Sequence, residues 1–164
     1  MKFSKIREVK SPIRSTPKSA GIDFFIPVFD SQFLLDFKLK NSNIQINNTA
    51  IILNPNERCL IPSGIHANIP DGFMLNAFNK SGISSRRGLI KAAETIDEDY
   101  LGEIHISLIN SSNEIVVIEQ NEKIIQFILI PISYLLPYEV EFSELYIDKE
   151  SSRGSGGFGS TGIK

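Results

Sequence analysis

Thr95-Ile-Asp-Glu-Asp-Tyr-Leu-Gly102 sets three acids and an aromatic between two apolar runs. Upstream lies Gly88-Leu-Ile-Lys-Ala-Ala93, and downstream Glu103-Ile-His-Ile-Ser-Leu-Ile-Asn110 alternates apolar with polar residues. Alternation with period two sends successive side chains to opposite faces of a strand, so the region reads as strand, tight corner, strand. The acids admit two readings. Asp97, Glu98 and Asp99 form a solvated turn, or one of them is a positioned general base and Tyr100 packs against a flat ligand.

The same pattern extends outward in both directions. Lys2 to Val9 forms a first strand, and Ala20-Gly-Ile-Asp-Phe-Phe-Ile-Pro-Val-Phe29 is a small-residue turn leading into a strongly apolar strand. Gly21 permits a backbone that a β-carbon forbids, while Asp23 either orients a partner or ends the turn. Two short strand-like runs lie within Ala50–Pro62, and others follow at Ile65–Pro70, Phe73–Phe78, Ile115–Ile118, Lys123–Pro131 and Tyr138–Leu145. Turns such as Asn54-Pro-Asn and Pro70-Asp-Gly72 separate them, and Arg86-Arg87 sits in a turn that is solvated or approaches a phosphate. With no internal repeat and no long helical period, the pattern predicts an all-β sandwich or barrel. Ser31-Gln-Phe-Leu-Leu-Asp-Phe-Lys-Leu-Lys40 is the exception, reading as one short amphipathic helix. Asn-rich turns follow it, so Asp30–Ala50 is expected to be a surface excursion.

Bulk composition narrows the class. The chain has 164 residues, 41% hydrophobic and 22% charged, and fits one domain with a real core. A formal net charge of −2 argues against nucleic-acid binding, which needs a basic face. No apolar run reaches the roughly 18 residues of a membrane helix, and the start of the chain has no apolar signal core, so an intracellular location without a targeting signal is expected. The single cysteine, Cys59, excludes an internal disulfide and reads as a small buried hydrophobe. His66 and His105 lie in separate strand patterns without companion ligands.

The glycine-rich end, Ser151-Ser-Arg-Gly-Ser-Gly-Gly-Phe-Gly-Ser-Thr-Gly162, is low in complexity. Its Gly154-x-Gly156-x-x-Gly159 is not a dinucleotide fingerprint, because no room remains for the helix that must follow. It is either a frayed tail or a clamp. Arg153 offers forked donors to phosphate, Ser160, Thr161 and the glycine amides offer more, and Phe158 offers a stacking face.

Five separated segments occur in a fixed order: Ala20-Gly-Ile-Asp23, Lys80-Ser-Gly82, Thr95-Ile-Asp-x-x-Tyr-x-Gly102, Lys123-Ile-Ile-Gln126 and Arg153-Gly-x-Gly-Gly-Phe-Gly-Ser-Thr-Gly162. In this the chain resembles the trimeric, all-β deoxyuridine triphosphatase (dUTP diphosphatase) family over nearly its whole length. The sixteen positions from Ser81 to Asp97 (97 − 81) agree with the family pattern.

The resemblance implies a distorted, jelly-roll-like β-barrel with at most one or two short helices, a single domain over residues 1–150 and a flexible C-terminal arm over 151–164. It implies hydrolysis of dUTP to dUMP and pyrophosphate, which keeps uracil out of DNA and supplies dUMP for thymidylate synthesis. Asp97 then activates the attacking water and Tyr100 lies under the deoxyribose, where a 2′-hydroxyl would clash. Backbone groups around Thr95 and Ile96 read uracil, and Lys80, Ser81, Gly82 and Gln126 face the phosphates. Asp23 supports that network. Arg153, Gly157, Phe158, Gly159, Ser160 and Thr161 close over uracil and the terminal phosphate. Mg²⁺ is implied, held by the triphosphate and water and by no side chain directly, as is a homotrimer with active sites shared between chains.

Two positions depart from the family pattern. Lys80 stands where Arg is usual, which keeps the charge and loses the fork geometry. Glu94 stands where a glycine is usual, beside the uracil reader. The 58 positions between Asp23 and Ser81 (81 − 23) exceed those of compact members, and the excess falls on Asp30–Ala50. Two rivals share the fold. A dCTP deaminase-like enzyme would need a catalytic Glu where Ser107 stands, and a nucleotide-binding regulatory protein would have no use for Asp97, Tyr100 and the arm together. A second, partner-binding role for Asp30–Ala50 stays open.

Overall fold

The structure is a computed structural model and describes residues 1–157. The chain divides into two units, Met1–Ser133 and Tyr134–Lys164. In chain order the first unit contains β1 (Lys2–Lys5), β2 (Ile22–Phe24), α1 (Ser31–Lys40), β3 (Gln45–Ile46), β4 (Ala50–Leu53), β5 (Arg58–Pro62), β6 (Ile65–Asn68) and β7 (Phe73–Asn79). It continues with α2 (Ser81–Arg87), β8 (Leu89–Lys91), β9 (Thr95–Ile96), β10 (His105–Asn110), β11 (Val116–Glu119) and β12 (Ile125–Pro131), and the second unit holds α3 (Phe142–Leu145).

Strands dominate, in keeping with the all-β class. Among the described residues they form four small sheets rather than one closed barrel, in the orders β1-β6, β5-β10-β8, β11-β4-β3 and β2-β12-β7-β9. The described residues hold three short helices, where at most one or two were expected. No helix among the described residues is long and apolar enough to cross a membrane.

The longest pairing joins β7 and β12 antiparallel from Phe73↔Pro131 to Asn79↔Ile125. Pro131 ends the ladder, where its missing N–H costs no bond. The other edge of β12 pairs with β2 through Ile125↔Phe24, Gln126↔Asp23 and Phe127↔Ile22. Phe24 and Phe127 fill the core beneath, their ring centroids 4.5 Å apart. In β10 the predicted alternation holds: Ile106, Leu108 and Asn110 are buried while His105, Ser107 and Ile109 are half-buried.

The segment 30–50 is tied into this core, which corrects its reading as a surface excursion. Asp30 caps α1 by accepting from the Phe33 amide at 2.7 Å. Phe33 and Phe37, four residues apart on one helix face, are fully buried. With Phe29 they form a row of stacked rings, 4.7 and 6.1 Å between centroids. Asn41 closes the helix by donating to the Phe37 and Leu60 carbonyls at 2.8 and 2.9 Å. It also accepts from the Leu60 amide at 2.8 Å, so a side chain completes the edge of β5.

Tyr138–Leu145, expected to be a strand, makes no strand. A strand needs a neighbour for its backbone groups, whereas Phe142 and Tyr146, one helical turn apart, pack edge-on at 6.0 Å.

Because α1 is anchored by buried rings, Phe37→Ala should lower stability by about 3–5 kcal/mol. Urea unfolding at fixed chain concentration measures this; a loss below about 1 kcal/mol would mean the site collapses without needing the ring.

Candidate active site

At the C-terminal end of β7, one polar cluster grows from the β2-β12-β7 register. Gln126 stands directly opposite Asp23 on β2, so the two side chains share a sheet face. Gln126 donates to the Asn79 carbonyl at 3.0 Å and lies over Gly21. A β-carbon at Gly21 would meet its Oε1 at 2.1 Å, so only glycine lets the amide occupy this position. Asp23 is buried and accepts from Ser15 Oγ at 2.7 Å. It pairs with Lys80 and, at 3.2 Å, with Lys123. Burial alone would raise the Asp23 pKa; the bonds from Lys80, Ser15 and Lys123 outweigh it and hold the carboxyl below its ordinary value. Lys80, in the place of the usual Arg, therefore neutralises Asp23 through a single ammonium contact.

Lys80 is followed immediately by α2, whose last two residues, Arg86-Arg87, the sequence placed in a turn. Its backbone is extended, Ser81 opens the helix, and Gly88 closes it in the left-handed region at φ 61°. Lys80, Ser81, Gly82, Arg86, Arg87 and Gln126 line a concavity here. Arg87 is committed to Glu122 at 2.7 Å and to the Val117 carbonyl, so it is not a solvated turn residue. Arg86 is exposed at this concavity, in keeping with either of the sequence's alternatives for Arg86-Arg87, a solvated residue or one that approaches a phosphate.

A second concavity of about 230 Å³ is lined by Ala77, Glu94, Thr95, Ile96, Asp97, Tyr100, His105 and Ser107, among others. The strand–corner–strand reading of 88–110 changes here. β8 pairs with β10, whereas β9 pairs with β7 in a different sheet through Asn76↔Thr95 and Leu75↔Ile96. Residues 92–94 thus cross between sheets, with the Ala92 amide donating to Ser107 O at 2.9 Å and the Ala77 amide to Glu94 O at 2.8 Å. The Glu94 side chain turns to Lys91 and is half exposed, so it leaves its backbone available to the sheet.

Asp97 is exposed, and its side chain accepts no bond among the described residues. Its carbonyl accepts from the Tyr100 amide at 3.2 Å, which closes the turn. Glu98, read as a solvated turn acid, instead accepts from the Gly72 amide at 2.6 Å. Tyr100 donates to the Glu103 carbonyl at 2.9 Å. His105 and Ser107 were not read as site residues; they face this concavity because alternation along β10 carries them to the face opposite Ile106 and Leu108. His105 Nδ1 lies 2.8 Å from the Glu103 carbonyl, which can only accept, so the proton sits on Nδ1. Burial lowers the His105 pKa and keeps the ring neutral.

The two concavities share no lining residue. Extending the β9 register by one residue sets Asp97 beside Met74, six residues along β7 from Lys80 (80 − 74). At about 3.3 Å per residue the two α-carbons stand roughly 20 Å apart within one chain. Arg153 and Gly157 belong to the second unit, where Arg153 Nε donates to Gly156 O at 2.7 Å. Phe158, Gly159, Ser160 and Thr161 lie outside the described residues.

Fold and site together define an all-β protein carrying a cation-lined cluster at one end of a strand and an acid-and-tyrosine cleft towards the other. The dUTPase family model matches residues 46–162. A deoxyuridine 5'-triphosphate nucleotidohydrolase of Wolbachia pipientis subsp. Culex pipiens is 34% identical over 98% of this chain and 92% of its own length. That of Finegoldia magna is 44% identical over 68% of this chain and 76% of its own. The dUTPase of Staphylococcus bacteriophage 80alpha, solved with dUPNHPP, superposes with a TM-score of 0.75 at 22% identity, covering 99% of this chain and 98% of that one. The chain belongs to the dUTPase family.

Because its folded pKa is depressed, Asp23 contributes stability that is present above the ordinary aspartate value of 3.8 and lost as pH falls through the lower folded value. The stability difference between the protein and its Asp23→Asn variant should therefore shrink below about pH 4. Urea midpoints across pH 3–7 would show it; a difference independent of pH would contradict the assignment.

Proposed function

We propose that this chain hydrolyses dUTP to dUMP and pyrophosphate at sites completed between copies of itself. The observation that carries the reading is the sorting of the matched residues into two clusters of complementary chemistry. Lys80, Ser81, Gly82 and Gln126 offer donors and charge to a polyphosphate. Thr95, Ile96, Asp97 and Tyr100 surround a space suited to a flat base, a sugar and a water.

In this reading a water attacks the α-phosphorus in line and the bond from that phosphorus to the bridging oxygen breaks. Asp97 takes the proton of the water; it is exposed, and its carboxylate accepts no bond from the described residues. Ser81 donates to the bridging oxygen as charge gathers on the departing pyrophosphate. Gln126, held in place over Gly21, meets the phosphates through its amide. Tyr100 lies under the deoxyribose, and backbone groups at Thr95 and Ile96 read uracil, so a mismatched base leaves donors unpaired. Arg153, Gly157, Phe158, Gly159, Ser160 and Thr161 close over the bound nucleotide.

Among the described residues no group of three or more His, Cys, Asp or Glu side chains converges to hold a metal ion. Asp23 is already engaged by two lysines. This donor set fits a Mg²⁺ that would be held by the nucleotide's phosphates rather than by side chains and would offset leaving-group charge. A base in Asp97 and a phosphate donor in Ser81 must come within a few ångströms of one substrate. Met74, beside Asp97, and Lys80, beside Ser81, stand roughly 20 Å apart, which supports a site that takes base and donor from different chains of a homotrimer. Ser107, lining the base-side cleft, cannot serve as the acid a deaminase needs there.

Pyrophosphate release with Mg²⁺ should be fast for dUTP and slow for dCTP, dTTP and UTP. Asp97→Asn should cut turnover by about 10²–10⁴-fold with dUTP still bound. Unchanged turnover in that variant, or equal rates on all four nucleotides, would sink the reading.

A further inference from the structure

We propose that Glu103, clamped by Arg7, is the positioning residue that holds Tyr100 against the sugar. Helix α1 joins this device through Asp36. The inference rests on the reading of Tyr100 as the ring that meets the 2′ position.

Tyr100 is 43% exposed, so core packing does not fix its ring. What holds it is the bond from its hydroxyl to the Glu103 carbonyl, 2.9 Å. Gly102 makes room for that bond, since a β-carbon there would lie 2.4 Å from the tyrosine oxygen. The same carbonyl accepts from His105 Nδ1 at 2.8 Å. The anchor is therefore only as firm as the Glu103 peptide.

That peptide is pinned by its own side chain. The Glu103 carboxylate, 12% exposed, accepts from Arg7 Nε at 3.0 Å, from Arg7 Nη2 at 2.9 Å and from the Gly64 amide at 2.6 Å. Two parallel bonds from one guanidinium fix direction as well as distance. Arg7 is 7% exposed, and it lies over the Phe33 ring at 5.8 Å. Its Nη2 also donates to Asp36 Oδ2 on α1, at 3.0 Å. Gly64 sits at φ +75° with the Arg7 chain so close that a β-carbon would meet its Cγ at 2.6 Å.

An ion pair taken this far out of water adds little net stability over an apolar pair of the same volume, while its geometry is strict. Strict geometry is what steric exclusion of a hydroxyl needs. A ring free to retreat by about 1 Å admits the extra atom, so discrimination is lost before folding is.

The test uses full-length protein with Mg²⁺ and compares kcat/KM on dUTP and UTP. Glu103→Gln, Arg7→Lys and Tyr100→Phe should each lower the dUTP:UTP ratio at least tenfold, chiefly through faster UTP turnover. Tyr100→Phe combined with Glu103→Gln should be no worse than either alone, because both cut one tether. Asp36→Asn should move the ratio in the same direction by a smaller factor. Urea midpoints, taken on every variant, separate these effects from lost folding. Tyr100→Ala serves as the reference. If it leaves the ratio unchanged, the reading of Tyr100 itself fails. If it alters the ratio while Glu103→Gln and Tyr100→Phe keep the original value, the positioning role is overturned and the reading of Tyr100 stands.

Discussion

The antiparallel ladder between β7 and β12 is the constraint on which the site depends. Its register places Gln126 opposite Phe78 and, through the other edge of β12, opposite Asp23. The same β7 carries Lys80 and Ser81 just beyond its C-terminal end and accepts β9 along its free edge. A slip of one residue would turn every side chain of β12 to the wrong face. Gln126 would enter the core and Phe127 would leave it. The buried pair Phe24–Phe127 opposes that slip, so apolar packing below the sheet fixes polar geometry above it.

Buried or half-buried polar side chains then finish what the ladder begins. Asn41 ends α1 and completes the β5 edge, Asp23 gathers two lysines, and Glu103 gathers Arg7 and the Gly64 amide. Each ties together segments distant in the chain, and each satisfies backbone or charged groups that would otherwise be costly to bury. The polar anchors stand beside segments that carry candidate site residues. Rigid elements support the site from below, while Asp97 and Tyr100 themselves remain open to solvent.

Sequence pattern was most informative where it concerned one strand or helix at a time. The alternation over His105–Asn110 is reproduced by burial, and Ser31–Lys40 is the helix its apolar spacing indicates. Pattern alone does not say which strand pairs with which, so Leu89–Lys91 and Thr95–Ile96 looked like arms of one corner although they belong to different sheets. Ser81–Arg87 was missed as a helix because Ser and Gly are weak formers, and the glycine at 88 in the left-handed region reads equally well as a turn. Depth was invisible too: two phenylalanines four apart mark an apolar face without revealing that it enters the main core. Arg7 and Glu103, far apart in the chain, left no local signal at all.

In the proposed enzyme one chain holds the two halves of a site apart and a neighbouring chain reunites them. Co-expressing Asp97→Asn and Ser81→Ala, each inactive alone, and assaying the mixed oligomers for dUTP hydrolysis probes this arrangement. If base and phosphate donor come from different copies, random mixing restores about a quarter of the original turnover, since both parent residues are then intact at one site in four. Mixed oligomers with no more activity than either variant alone would place Asp97 and Ser81 in a single-chain site and refute the shared one.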